Sequence, residues 1–397
     1  MYVKLSSVAQ TCLFIFVGLN GVIEFFGIPT ALTKILLLGL VLAIFFLYGL
    51  EAKFIVSKQL FLLFTTILLL SYVHIGSSSS IVLAVSLFQI FSPLILYYSL
   101  ENLLSHSSRM YSKRILIFWL ALQIMGALIK LFVVGQNEGQ GIGTVSIQAG
   151  AISAYVVVIF CISAIALNVN NKNAILLLGL ALFFAMVNEK RIGILVVALF
   201  AYLIFSYGHK FQFKFIRLFI VIPLSAGTLY VGSVAIPSLL EGMSVFQFGE
   251  RVSTYLLLVN DDGSAVGRIA GLIQTISNLK GYEQLFFGNG PDVYLSSSVA
   301  GVTNNTDLGF NAIGTSILVG RFGFFGLFVL IGLMFFLLKR QQGRASRFLV
   351  LYMMFDVIIY SSGFFLSYIG VYVLLLFRSI EMNISKHSDS HPTSQIS

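Results

Sequence analysis

The sequence predicts an all-α, polytopic membrane protein of about twelve transmembrane helices with one large polar loop late in the chain. Hydrophobic residues make up 58% of the 397 residues and charged residues only 10%, whereas globular domains carry about a quarter charged residues. Apolar runs such as Ile35 to Leu50 show no alternation with polar residues, which excludes the strands of a membrane barrel and leaves helices to satisfy the backbone in lipid. The basic residues recur in every second connection between apolar runs, as expected when Lys and Arg stay on the cytoplasmic side.

Apolar runs place spans near 9 to 26, 33 to 50, 59 to 75, 81 to 100, 115 to 135, 148 to 168, 174 to 188, 192 to 207, 217 to 236, 318 to 338, 348 to 361 and 363 to 378. Several fall short of the ~20 residues a perpendicular span needs. The first begins after Lys4 like a secretory signal, but no small-residue cleavage site follows and Glu24 interrupts its end, so it reads as a retained helix. The last two share one apolar stretch broken only by Ser361, Ser362 and Gly363. With the N-terminus inside, the cytoplasmic connections carry Lys53 and Lys58; Arg109, Lys113 and Arg114; Lys172; Lys210, Lys214 and Arg217; and Lys339, Arg340, Arg344 and Arg347, followed by Arg378 and Lys386. Connections such as Gly76 to Ser80 and Gln136 to Gln148 carry none. The net charge of +9 is therefore a matter of topology, and no nucleic-acid partner is expected.

The chain divides into helices one to nine over 1–236, a large loop over 237–314 on the side away from the cytoplasm, helices ten to twelve over 315–378, and a cytoplasmic tail over 379–397. The tail ends in Ser and His without apolar residues to order it. The loop is different. Phe246 to Val259 and Ala265 to Leu279 are amphipathic, and Asn260-Asp261-Asp262-Gly263 and Gly288-Asn289-Gly290-Pro291 are turn signals, so a folded cap is expected. No repeat relates the two halves, which argues against a secondary transporter.

Charged groups on the far side are the first candidates for chemistry. Asn188-Glu189-Lys190-Arg191 packs three charges between two apolar runs. An ordinary turn with snorkelling side chains would look the same, but Lys190 and Arg191 lie where basic residues are rare, and a guanidinium is suited to hold a phosphate. Gly267-Arg268 opens an amphipathic stretch, and Leu285-Phe286-Phe287-Gly288-Asn289-Gly290 follows it. Each alone is weak, since loop arginines are usually solvated and Gly-Asn-Gly is usually a turn. Tyr282 and Tyr294 offer rings for stacking on sugars. Asp356 lies inside an apolar run, where a carboxylate is a suspect for a proton relay or else a hydrogen bond to a neighbouring helix. His74 reads as a helix end at the interface. Cys12 and Cys161 sit in apolar runs as small hydrophobes, and no cluster has metal-ligand spacing, so neither metal nor cofactor is expected.

Taken together, Gly267-Arg268, the Phe-Gly-Asn-Gly turn, Asp307 to Asn311 and the helix start Gly320-Arg321-Phe322-Gly323-Phe324-Phe325-Gly326 resemble the O-antigen polymerase and ligase superfamily. The resemblance covers roughly residues 145 to 340 in pattern, with Glu189 to Arg191 standing where those proteins carry a Ser-Arg or Lys-Arg turn. It implies a bacterial inner-membrane glycosyltransferase with both termini cytoplasmic. Its substrate would be undecaprenyl-pyrophosphate-linked oligosaccharide, which it joins at the periplasmic face without a nucleotide. Arg191 and Arg268 would hold the pyrophosphate, with Lys190, Arg251 and Arg321 as further candidates. A base would be Asp307 first, then Glu189, Glu250 or Asp292. A chain-length-regulating copolymerase and a flippase are the implied protein partners. The ligase branch carries a loop histidine that 237–314 lacks, which favours polymerase over ligase, and a lipid-linked oligosaccharide flippase is the alternative from another class.

Overall fold

The computed structural model describes residues 2–19, 58–74, 80–105, 108–129, 150–187, 196–201, 281–290, 314–360 and 368–388, with a few single residues between them. Expected spans near 33–50 and 217–236, most of 192–207 and most of the loop lie outside the described residues. Those described are mostly helical, with no strand among them. We number the helices α1 (Tyr2–Leu13), α2 (Lys58–His74), α3 (Ser80–Ser105), α4 (Arg109–Ile129), α5 (Gly150–Ala166), α6 (Asn171–Val187), α7 (Tyr282–Phe287), α8 (Gly314–Arg340), α9 (Arg344–Phe355) and α10 (Tyr368–Ser388). Two, Arg109–Ile129 and Thr315–Arg340, are long and apolar enough to cross a bilayer by length and composition.

The helices overrun the apolar windows because polar groups at their ends find partners. Beyond α1 the backbone widens into a π-turn over Phe14–Gly18. There Trp119 of α4 donates Nε1–H to the Gly18 carbonyl at 3.2 Å, and a Cβ on Gly18 would stand 2.9 Å from the indole. A buried polar line joins α1, α4 and α10: Gln10 Nε2 donates to Ser112 Oγ at 2.9 Å, and Ser112 Oγ lies 2.9 Å from Ser379 Oγ. Burying these groups without partners would be costly, so they act as registration pins between helices. α5 and α6 form a hairpin turned by Asn168 in the left-handed region (φ 50°) and capped by Asn170, whose side-chain oxygen accepts the Asn173 N–H at 3.0 Å.

One end of the bundle is tied by charge. Glu101, at the end of α3, meets Arg340 of α8 and Arg378 of α10, each at 2.6 Å, and Arg378 also donates to Tyr97 Oη at 2.8 Å. Gln341 Nε2 reaches the same hydroxyl at 2.8 Å. The ends of α3 and α8 and the middle of α10 are pinned to one carboxylate.

α9 and α10 are two helices packed antiparallel, as the break at Ser361 to Gly363 predicts. Glu381, near the end of α10, caps the start of α9 by accepting the Ala345 N–H at 2.8 Å and the Ser346 N–H at 3.2 Å, with the Ser346 hydroxyl on the same carboxylate. A carboxylate on orphan N–H groups at a helix start is favourable both as a hydrogen-bond acceptor and against the helix dipole. It leaves no room for a Cβ on Gly343. α10 therefore runs to Ser388, past the boundary expected at 378, and the first ten residues of the expected tail are helical.

Removing the shared carboxylate strands two guanidinium groups, so Glu101→Ala is expected to cost about 3 kcal/mol, more than either Arg340→Ala or Arg378→Ala. The single tryptophan, fully buried Trp119, makes thermal unfolding of the purified protein directly readable by fluorescence.

Candidate functional site

At the other end, the structure brings together two sequence motifs separated by about thirty residues. α8 is broken near its start by Gly323, whose φ of 63° is open to glycine and strained for other residues. The break turns the carbonyls of Gly320 and Arg321 toward the turn that follows α7. Asn289 donates its N–H to the Gly320 carbonyl at 2.9 Å, and Gly290 donates to the Arg321 carbonyl at 3.1 Å.

Close approach is possible only because both partners lack a side chain. Gly288 has φ 81°, and a Cβ there would stand 2.5 Å from the Arg321 carbonyl and 2.6 Å from the Gly323 nitrogen. A Cβ on Gly323 would run into the Phe286 carbonyl and stand 2.5 Å from the Phe287 nitrogen. The two glycines interlock backbone against backbone. Around them Phe286 and Phe287 pack on Phe325, with ring centroids 5.7 and 5.8 Å apart.

Arg321 follows Gly320 and is 7% exposed at this junction. A guanidinium held in a largely dry site is a strong partner for an oxyanion, because its fork of donors is fixed and always charged. The Asn289 side-chain oxygen is buried and has no hydrogen-bond partner among the described residues. An acceptor of that kind suits a hydroxyl donor brought by a ligand. Tyr282, by contrast, is 90% exposed at the start of α7, with its ring open to a stacking partner.

His74 closes the site from a third element. Its Nε2 lies 3.0 Å from the Phe287 carbonyl, and its ring meets Phe322 edge-on at 5.8 Å. The sequence reading of His74 as an interfacial helix end missed this contact, because nothing local ties residue 74 to residue 287.

Of the sequence-predicted site residues, Arg321 and Tyr282 are described, and both lie on the elements that make this junction. Glu189, Lys190, Arg191, Arg251, Arg268, Tyr294 and Asp307 lie outside the described residues, as do Glu250 and Asp292. Asp356 is buried at the first position of a π-turn, Asp356–Tyr360, and accepts the Tyr155 hydroxyl of α5 at 2.9 Å. That is the helix-to-helix hydrogen bond considered for it from sequence. The same π-turn is joined to α8 by Thr315, whose hydroxyl donates to the Ile358 carbonyl at 2.8 Å. Among the described residues no group of His, Cys, Asp and Glu could hold a metal ion. No family model matches the chain, and no curated protein is similar to it.

Gly288→Ala and Gly323→Ala are each expected to destabilise the protein by about 2 kcal/mol or more, from the left-handed backbone and the backbone overlap together. Gly332→Ala, in the same helix with open space around its Cβ position, is the control. It should be neutral or stabilising by about 1 kcal/mol. Thermal midpoints of the three purified variants check the difference.

Proposed function

We propose that this chain is a polytopic inner-membrane glycosyltransferase. It polymerises undecaprenyl-pyrophosphate-linked oligosaccharide repeat units into a surface polysaccharide at the periplasmic face. The observation that carries the reading is the junction itself. Phe-Gly-Asn-Gly and Gly-Arg-Phe-Gly were singled out separately as parts of the resemblance, and they meet in backbone contact around a buried arginine.

Placement in a membrane is supported by where the apolar side chains point, and the count of about twelve spans rests on the apolar runs of the sequence. α2 turns Phe61, Phe64, Leu68 and Tyr72 outward, α4 does so with Ile117, Phe118 and Met125, and α8 with Phe328 and Phe335. Water would penalise such surfaces and lipid would not. The grouping of contacts is a second support, compatible with the sides expected from charge. Glu101, Arg340, Arg378, Glu381 and the start of α9, all expected inside, meet one another. His74, Phe287, Asn289 and Gly320, all expected outside, do the same.

The reaction passes a growing glycan from its lipid pyrophosphate to the terminal hydroxyl of the next lipid-linked unit. The acceptor oxygen forms the new bond to the donor's anomeric carbon while the bond from that carbon to pyrophosphate breaks. The hydroxyl proton leaves to a carboxylate, with Asp307 the first candidate. Negative charge develops on the departing pyrophosphate, so fixed cations there lower the barrier more than they tighten binding. Arg191 and Arg268 take this role, with Arg321, Lys190 and Arg251 supporting and Tyr282 and Tyr294 stacking on sugars. A copolymerase that sets chain length and a flippase that delivers the units are the matching partners. A ligase would use nearly the same chemistry on a different acceptor, but residues 237–314 carry no histidine.

A second reading, a lipid-linked oligosaccharide flippase, draws on the buried Asp356–Tyr155 hydrogen bond, which a proton-driven carrier would use. One experiment separates the two. Arg191→Ala or Arg268→Ala should leave the protein in the membrane and the repeat units at the outer leaflet, while long glycan falls at least ~100-fold on electrophoresis. Units trapped at the inner leaflet would mark a flippase, and long glycan surviving both substitutions would refute the polymerase.

A further inference from the structure

We infer that His74 is a positioning residue for the Arg321 site, holding the late loop on α8 from the first half of the chain. The inference rests on the polymerase reading and adds a residue with no part in the chemistry assigned above.

Phe287 ends a six-residue helix, and carbonyls in a last helical turn have no partner within their own helix. His74, 213 positions earlier in the chain, lies 3.0 Å from that carbonyl. A carbonyl can only accept, so Nε2 carries the proton, in the neutral ring or in the imidazolium alike. The histidine is 3% exposed, and its ring rests edge-on against Phe322, the residue between Arg321 and the break at Gly323. One side chain thus touches both halves of the interlock. It holds the Phe-Gly-Asn-Gly turn by a hydrogen bond and the Arg321 segment by ring packing.

Among the described residues the two halves are otherwise joined by the Asn289 and Gly290 N–H bonds, by the fit of two glycines and by the packing of Phe286 and Phe287 on Phe325. A turn that short at the end of a long loop loses its fixed position when one anchor goes. Misplacement of a binding group by about 1 Å can cost on the order of 100-fold in rate. His74 is placed to prevent that shift, and it does so without touching substrate.

The test uses the full-length protein in vesicles with lipid-linked repeat units, and compares His74→Gln, His74→Asn and His74→Ala. Glutamine carries its amide nitrogen at the reach of Nε2, whereas asparagine reaches only as far as Nδ1. Glutamine should therefore rescue and asparagine should not. For His74→Ala, kcat should fall on the order of 10- to 100-fold with KM changed by less than about threefold. Hydrogen exchange at the Asn289 and Gly290 amides should accelerate in step, with Gly281 to Gly290 read as one peptide. Faster exchange with unchanged kcat would overturn the positioning role, and so would unchanged exchange in His74→Ala. A wild-type protein that forms no polymer would overturn the polymerase reading, and exchange alone would then decide whether His74 holds the turn.

Discussion

Contact between Gly288 and Gly323 is the constraint on which the site depends. Two backbones meet at a separation that a single methyl group on either would forbid, and the left-handed conformation at both positions makes glycine necessary for a second, independent reason. From this contact follow the two N–H bonds to Gly320 and Arg321, the packing of Phe286 and Phe287 on Phe325, and the burial of Arg321. A late loop that would otherwise pay the entropy of a long closure is fixed at one point on a helix.

The opposite end is organised on another principle. There Glu101 pairs with both Arg340 and Arg378, and Glu381 supplies the missing acceptor for the start of α9. Charge pairs and caps hold that end; glycine fit, one histidine and aromatic packing hold the other. Polar pins set the rotation of helices that apolar packing alone would leave free to slide: Gln10–Ser112–Ser379 beside the ionic end, and Tyr155–Asp356 elsewhere in the bundle.

Much of this was legible in the sequence. The apolar runs fixed the existence of α2 to α6 and α8 to α10, and Ser361 to Gly363 marked the division between the last two helices. Helix ends were less legible, because a span stops in hydropathy where the chain turns polar, yet the helix continues wherever a partner waits. Arg109 to Arg114 and Ser379 to Ser388 are such extensions. The Gly-Asn-Gly turn and the Gly-Arg-Phe-Gly start could be named from sequence, but their meeting could not, since backbone contact leaves no hydropathy signal. His74 does end α2, as expected from sequence, but its contact with Phe287 was illegible for the same reason. Its only local signals were an apolar helix and a terminal position, and its partner lies 213 residues away.

The central claim is that Arg191 and Arg268 join Arg321 at one face, away from the cytoplasm, where a lipid pyrophosphate can be gripped by several cations at once. The most direct measurement replaces Arg191 and Arg268 by cysteine in a protein whose Cys12 and Cys161 have been removed, and treats intact spheroplasts with a short, membrane-impermeant thiol crosslinker. Crosslinking from outside, with a span no longer than a pyrophosphate and its first sugars, is the result the account predicts. Crosslinking only after the membrane is opened, or none at any spacer length, would contradict it.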